Sequence, residues 1–253
     1  MRRSWKVEGG RAALSGGLLL VAVSAEAATY YVATTGDDAP GCGSQSNPCR
    51  HIYYAARLMA SGDTMAILPG TYQDHLYSDN GVDFSNNYGP GLPSGTAGNP
   101  TTIKAANGPG TVVMQRDEVR DSNGIGLDSM SYVVVDGLIF DGVAFGAGDA
   151  DHRGPRSDHI TLKNSVIKNN AITGFNGISD YTEVINNKMY DNGRDEEAAK
   201  AGCCPWPGYA VYECGDHQLW QGNEFYNNGG YALHFNNAGA RCLTNSVLVN
   251  NIF

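Results

Sequence analysis

The sequence has little charge of either sign and no long apolar run. Asp, Glu, Lys and Arg make up 17% of its 253 residues, and the basic share is the smaller, 17 against 26 acidic. A net charge of −9 offers no basic face to a phosphate backbone, which excludes a nucleic acid partner. The longest apolar run, Leu14 to Val23, is about half of the ~20 residues that span a bilayer, so no membrane span is expected. No extended helical periodicity separates the apolar segments, which excludes a helical bundle. Cysteine is scarce and never spaced Cys-x-x-Cys, which argues against structural zinc.

What the chain does have is glycine, 33 residues, and a phrase that returns. Asn164-Ser165-Val166-Ile167-Lys168-Asn169-Asn170 is followed by Asn187-Lys188-Met189-Tyr190-Asp191-Asn192 and by Asn223-Glu224-Phe225-Tyr226-Asn227-Asn228. Asn251-Ile252-Phe253 begins it again, and Gly137-Leu138-Ile139-Phe140-Asp141-Gly142 is an earlier copy. A second phrase follows the first at Ala171-Ile172-Thr173-Gly174-Phe175, Ala210-Val211-Tyr212-Glu213-Cys214 and Ala232-Leu233-His234-Phe235-Asn236. Short apolar strands with Asn and Gly corners at near-constant interval mark a β-solenoid, whose coils rise about 4.8 Å each. On these phrases the sequence resembles the right-handed parallel β-helix repeat proteins of the pectate-lyase-like superfamily, over residues 29 to 253. The expected fold is all-β: a right-handed parallel β-helix with a short N-terminal capping helix.

Met1 to Ala27 reads as a secretory signal. Arg2, Arg3, Lys6 and Arg11 precede the apolar run, and Ala25-Glu26-Ala27 fits a cleavage site. Residues 28 to 253 form the expected β-helix domain, with 28–72 as cap and first coil and 130–253 as clear repeats. Cys42 and Cys49 would close a Gly/Ser/Asn/Pro loop as a disulfide in an exported protein. Asn47-Pro48 would start a helix over 48–60 with Ile52, Ala55, Ala56 and Met59 on its buried face. Residues 73 to 100 read as a surface excursion. Cys203 and Cys204, neighbours that do not bond each other readily, would pair with Cys214 and Cys242 in an order left open. The chain stops mid-phrase at Phe253, so further coils are expected beyond it, in a protein monomeric at full length.

Candidate chemistry lies in three places. Asp149, Asp151 and Asp158 stand close in sequence to Arg153, Arg156 and Lys163. Carboxylates at this density suit Ca²⁺, which takes six to eight oxygens. The superfamily resemblance implies that such carboxylates hold calcium while a basic residue removes the proton α to a uronate carboxyl group. Arg153, Arg156 and Lys163 are the candidate bases. The chain departs from the resemblance where motifs are concerned. Arg153-Gly154-Pro155 is half of Arg-x-Pro-x-x-Arg, but Asp158 stands where the second Arg belongs, and neither Trp-x-Asp-His nor Asp-Pro-His-Glu occurs.

The second phrase aligns Thr173, Tyr212 and His234 in one column and Gly174, Glu213 and Phe235 in the next. Tyr212 and His234 would then face outward as a sugar platform, with Glu213 and His217 beside them as substrate-binding residues. The column Asn164, Asn187, Asn223 and Asn251 reads as a structural Asn ladder. The functional expectation is an exported protein acting on or binding polysaccharide, with a calcium-dependent uronate lyase as its catalytic form. The alternatives are a non-catalytic carbohydrate-binding module and a glycoside hydrolase built on Glu213 and Asp216.

Overall fold

The computed structural model describes residues 26–73, 76–77, 92–115, 123–147, 156–171, 173–194, 208–235 and 245–253. Three parallel sheets run along one axis, and the chain visits them in turn. Sheet 1 holds β1 (Thr29–Val32), β2 (Thr64–Ile67), β5 (Thr101–Ala105), β8 (Ser131–Asp136), β11 (Ser157–Lys163), β15 (Glu183–Ile185), β18 (Leu219–Gln221) and β21 (Val247–Val249), with β14 (Ser179–Asp180) beside the start of β11. Sheet 2 holds β3 (Gly70–Tyr72), β6 (Val112–Gln115), β9 (Leu138–Asp141), β12 (Val166–Lys168), β16 (Lys188–Tyr190) and β19 (Glu224–Tyr226). Sheet 3 holds β4 (Leu76–Tyr77), β7 (Asn123–Gly126), β10 (Ala144–Ala147), β13 (Thr173–Gly177), β17 (Tyr209–Glu213) and β20 (Leu233–Phe235). This is the parallel β-helix expected from the repeats.

Alternation sends every second side chain inward, where like stacks on like. Sheet 1 contributes the column Ile103, Val135, Leu162, Val184 and Trp220. Sheet 2 contributes Met114, Phe140, Ile167, Met189 and Phe225. Phe145 and Phe175 of sheet 3 are in ring contact, and Phe175 meets Trp220 edge-on. All of these are buried in one continuous core.

The corner between sheets 1 and 2 explains the Asn phrase. Gly137, Asn164, Asn186, Gly222 and Asn250 all have positive φ, the left-handed conformation that Gly and Asn adopt at least cost. Asn164 therefore stands one position before the buried ladder, and its amide reaches the half-buried Asp136 at 2.8 Å. The buried column is Ser165, Asn187, Asn223 and Asn251, a correction of one residue at its first rung. A second ladder, Asn170, Asn192 and Asn228, lines the next corner.

The capping helix is shorter than expected, α1 (Ile52–Ala56), and begins after His51. Asn47-Pro48 does not start it because the chain up to Cys49 is extended along β1, with Cys49 N–H donating to Tyr31 O and Ala33 N–H to Cys49 O. Asp38 accepts the backbone N–H groups of Arg50 and His51 and so turns the chain into the helix. Ile52, Ala55 and Ala56 are buried in the core. The 73–100 excursion also contains a strand, β4, where Leu76 pairs with Ile125 and is buried.

Cys42 and Cys49 are disulfide-bonded. Cys214 is also disulfide-bonded, while Cys203, Cys204 and Cys242 lie outside the described residues, as do residues 1–25, where the secretory signal was expected. Closing a loop with a sequence separation of 7 is worth about 2.5 kcal/mol by chain entropy. A Cys42→Ser/Cys49→Ser variant is thus expected to lower the urea midpoint. A midpoint equal to the parent's would show that the backbone ladder to β1 suffices to hold the loop.

Candidate functional site

On the outer face of sheet 3, Tyr212 pairs with His234 across neighbouring coils, and Asn176 pairs with Tyr212 on the coil before. The Tyr212 and His234 rings meet edge-on at 5.1 Å. Thr173 is not in this column; it pairs with Tyr209, and Gly177 rather than Gly174 pairs with Glu213. The inward Phe175 ring, lodged between Phe145 and Trp220, fixes that register.

Two further tyrosines join the pair. Tyr209 lies 4.6 Å from the His234 ring and 5.5 Å from Tyr212, and Tyr231 lies 5.7 Å from His234 and 6.0 Å from Tyr209. His234 thus touches three tyrosine rings. Tyr209 is nearly buried, at 9% exposed, and Tyr231 is open at 64%. The sequence held a signal for both, the triplet Gly-Tyr-Ala repeated at 208–210 and 230–232. The amide of Ala210 donates to the carbonyl of Tyr231, placing the two triplets on adjacent rungs. His234 Nδ1 is enclosed and, among the described residues, without a hydrogen-bond partner.

Glu213 is corrected: it is an interior residue, fully buried, and not part of the platform. Val211 and Glu213 share the inward side of β17, and Tyr212 points out between them. One carboxyl oxygen, Oε1, accepts from Ser179 N–H at 3.0 Å, Ser179 Oγ at 2.8 Å and Gln218 Nε2 at 2.9 Å. The other, Oε2, is buried and without a partner among the described residues. Burial pushes its pKa up to about 8, outweighing the three hydrogen bonds that favour the charged form. An inward carboxyl group is not available for hydrolysis as the partner of Asp216, which is half-exposed on the surface.

His217 lies elsewhere, at the corner that leads into sheet 1. There Tyr132, His159, Tyr181 and His217 stack in one column, with ring centroids 4.3, 4.8 and 4.7 Å apart. All four have positive φ. Each histidine has Nδ1 on the carboxylate before it, His159 on Asp158 at 2.8 Å and His217 on Asp216 at 3.1 Å. Arg156 pairs with Asp180 at 3.1 Å, and Asp180 also accepts the Asp216 backbone N–H. The corner therefore brings Arg156, Asp158 and His217 together with Asp180, Tyr181 and Asp216. The missed members were legible as a repeated dipeptide of Asp and an aromatic: 158–159, 180–181 and 216–217.

Lys163 is not in this group. It sits at the far end of β11 on the outer face of sheet 1, paired with Asp136 at 3.4 Å, on the order of 20 Å along the strand from Arg156. Among the described residues, the corner carboxylates do not converge as a group of metal ligands. Among the described residues, the one group of His, Cys, Asp or Glu with converging ligand atoms is Asp38, Cys42 and Cys49, whose sulfurs are spent in a disulfide. Asp158 already accepts from Ser131 and His159. Asp149, Asp151 and Arg153 lie outside the described residues.

No family model matches the chain, and no curated protein sequence matches it. Solved structures do. A rhamnogalacturonan lyase superposes with a TM-score of 0.53 at 18% identity, over 88% of this chain and 56% of that one. The pectate lyase Pel9A gives 0.52 at 22% identity, over 85% and 52%. XylC in complex with xylose gives 0.50 at 12% identity, over 81% and 63%. At such identities the likeness is one of fold, the right-handed parallel β-helix, and the chain spans little more than half of the two lyases.

Proposed function

We propose that this β-helix recognises a polysaccharide on the outer face of sheet 3, in an oxidising compartment outside the cytoplasm. The observation that carries the reading is the four-ring patch of Tyr209, Tyr212, Tyr231 and His234. Rings with polar tips combine stacking area with hydrogen bonding, which is what a pyranose with one apolar face and a rim of hydroxyl groups requires. The fold neighbours support a saccharide ligand, since two are polysaccharide lyases and the third holds xylose. The disulfides support export. Affinity electrophoresis through gels containing single polysaccharides is expected to retard the protein in at least one. Tyr212→Ala is expected to weaken that binding about tenfold. Full retardation of the variant would remove the patch from the reading.

The catalytic form of the proposal is calcium-dependent β-elimination of a uronate polymer. Arg156 is the candidate base at the described corner, where its guanidinium pairs with the Asp180 carboxylate at 3.1 Å. Arg153 and Lys163 are the other candidate bases, and calcium would need Asp149 and Asp151 in addition to Asp158. Calcium-dependent ultraviolet absorbance from unsaturated uronate ends, lost with EDTA and in Arg156→Ala, is the expected result. Binding without such a rise on any uronate polymer leaves non-catalytic recognition.

A further inference from the structure

We infer that the sheet-3 patch takes an uncharged pyranose segment of a polysaccharide, not a uronate segment. This rests on the polysaccharide reading above and assigns the ligand class to the same face. The three sheets differ sharply in the charge that they present. Sheet 1 carries Lys104, Asp136, Lys163 and Glu183, and sheet 2 carries Asp141, Lys168, Lys188 and Glu224. The six strands of sheet 3 hold one charged residue between them, Glu213, and it faces the interior. A carboxylate on every sugar would meet no cation on those strands and would lose its hydration against four rings, at a cost that nothing there offsets.

The polar groups that the face does offer are of the kind that hydroxyl groups satisfy. They are the tyrosine hydroxyls, the Asn176 amide in the column with Tyr212 and His234, and the imidazole of His234. His234 Nδ1 is enclosed without a partner among the described residues, a condition rare enough in folded proteins to call for an explanation. Tyr231, in contact with His234 and 64% exposed, is the ring free to turn aside. A sugar stacked on Tyr231 could then place a hydroxyl group at that nitrogen. Binding of this kind depends on ring contact and neutral hydrogen bonds, so it is insensitive to salt, whereas capture of a polyanion by surface lysines is screened.

The test is isothermal titration of the whole protein with xylan, glucomannan and polygalacturonate oligosaccharides, at low and at raised sodium chloride, for the parent, Tyr231→Ala and Lys188→Ala. Tyr231 is chosen because its exposure makes a folding defect the least concern, and Lys188 because it is an exposed cation of sheet 2. The expected result is binding of at least one neutral oligosaccharide with an affinity unchanged by salt. It falls about tenfold in Tyr231→Ala and is unaffected in Lys188→Ala. Binding confined to polygalacturonate, weakened by salt and intact in Tyr231→Ala, would overturn the inference while leaving the polysaccharide reading standing. Binding of no polymer, with self-association that Tyr231→Ala abolishes, would overturn both and make the patch an interface between copies.

Discussion

Glu213→Gln is expected to make the protein more stable in alkaline solution and to flatten its stability between mildly acidic and mildly alkaline pH. The carboxyl group has no solvent exposure, and three donors converge on Oε1, so the proton that it keeps at neutrality sits on Oε2. The sign follows from linkage. Folding raises the pKa from 4.5 to about 8, so the native state holds a proton that the unfolded state gives up. The stability this group contributes is full below the unfolded value and is lost as pH rises through the folded one. That interval corresponds to on the order of 4–5 kcal/mol. Glutamine keeps the acceptor Oε1 for Ser179 and Gln218, puts a neutral NH₂ where Oε2 was and removes the titration. Urea unfolding of parent and variant across this pH range gives a difference curve in which other titrating groups cancel. A difference that does not grow with pH would mean that Glu213 is ionised, or hydrated, in the native protein.

Glu213 also accounts for much of what sequence reasoning misplaced. Its strand, Tyr-Ala-Val-Tyr-Glu, alternates correctly from Val211 onward, and alternation alone puts Glu213 on the inner side with Val211. Its assignment to the sugar platform beside Tyr212 and His234 set that alternation aside. What decides is local: Ser179 and Gln218 bring donors into the corner beneath it, and Gly215 leaves no room there, since a Cβ would come within 1.7 Å of Ser179 O. Ser179 is 34 residues away and Gln218 lies five residues on, past the turn that ends the strand, so the alternation of the strand itself shows neither.

The solenoid itself was legible because each coil repeats its corner chemistry. The one-residue slip at Asn164 arose because left-handed corner positions and ladder positions both select Asn, and only the hydrogen bonds distinguish them. The platform pair Tyr212 and His234 could be read from phrase alignment, being one rung apart. The corner cluster could not be found by a search for dense charge, because Asp158, Asp180 and Asp216 are scattered in sequence and adjacent only through the coil. The repeated dipeptide of Asp and an aromatic was the usable signal.

The second large effect is expected at Asn223. Its Nδ2 donates to Val184 O at 2.8 Å and to Asn251 Oδ1 at 3.0 Å, and its Oδ1 accepts from Asn187 N–H at 2.9 Å and Asn187 Nδ2 at 3.0 Å. Alanine would remove all four bonds, strand the buried Asn187 backbone N–H and leave Asn187 Nδ2 with its bond to Leu162 O alone. At about 1–3 kcal/mol for the stranded group and about 1 kcal/mol for each other bond lost, a loss of roughly 3–5 kcal/mol is expected. The fitting control is Asn164→Gly, two coils away and one residue before the ladder position of its own coil. Asn164 makes an exposed bond and has φ +52, and glycine already occupies the equivalent corner at Gly137 and Gly222, so that change should cost under about 1 kcal/mol. Asparagine is thus kept at Asn164 for backbone conformation and at Asn223 for hydrogen bonding across coils. Asn223→Asp separates these roles further. The carboxylate could still accept from Asn187, but it could not donate to Val184 O and would face Asn251 Oδ1 with like polarity, so most of the loss should persist and deepen as the carboxyl group ionises. Equal denaturation midpoints for Asn223→Ala and Asn164→Gly would mean that the stacked apolar columns hold the coils together and the ladder only follows them.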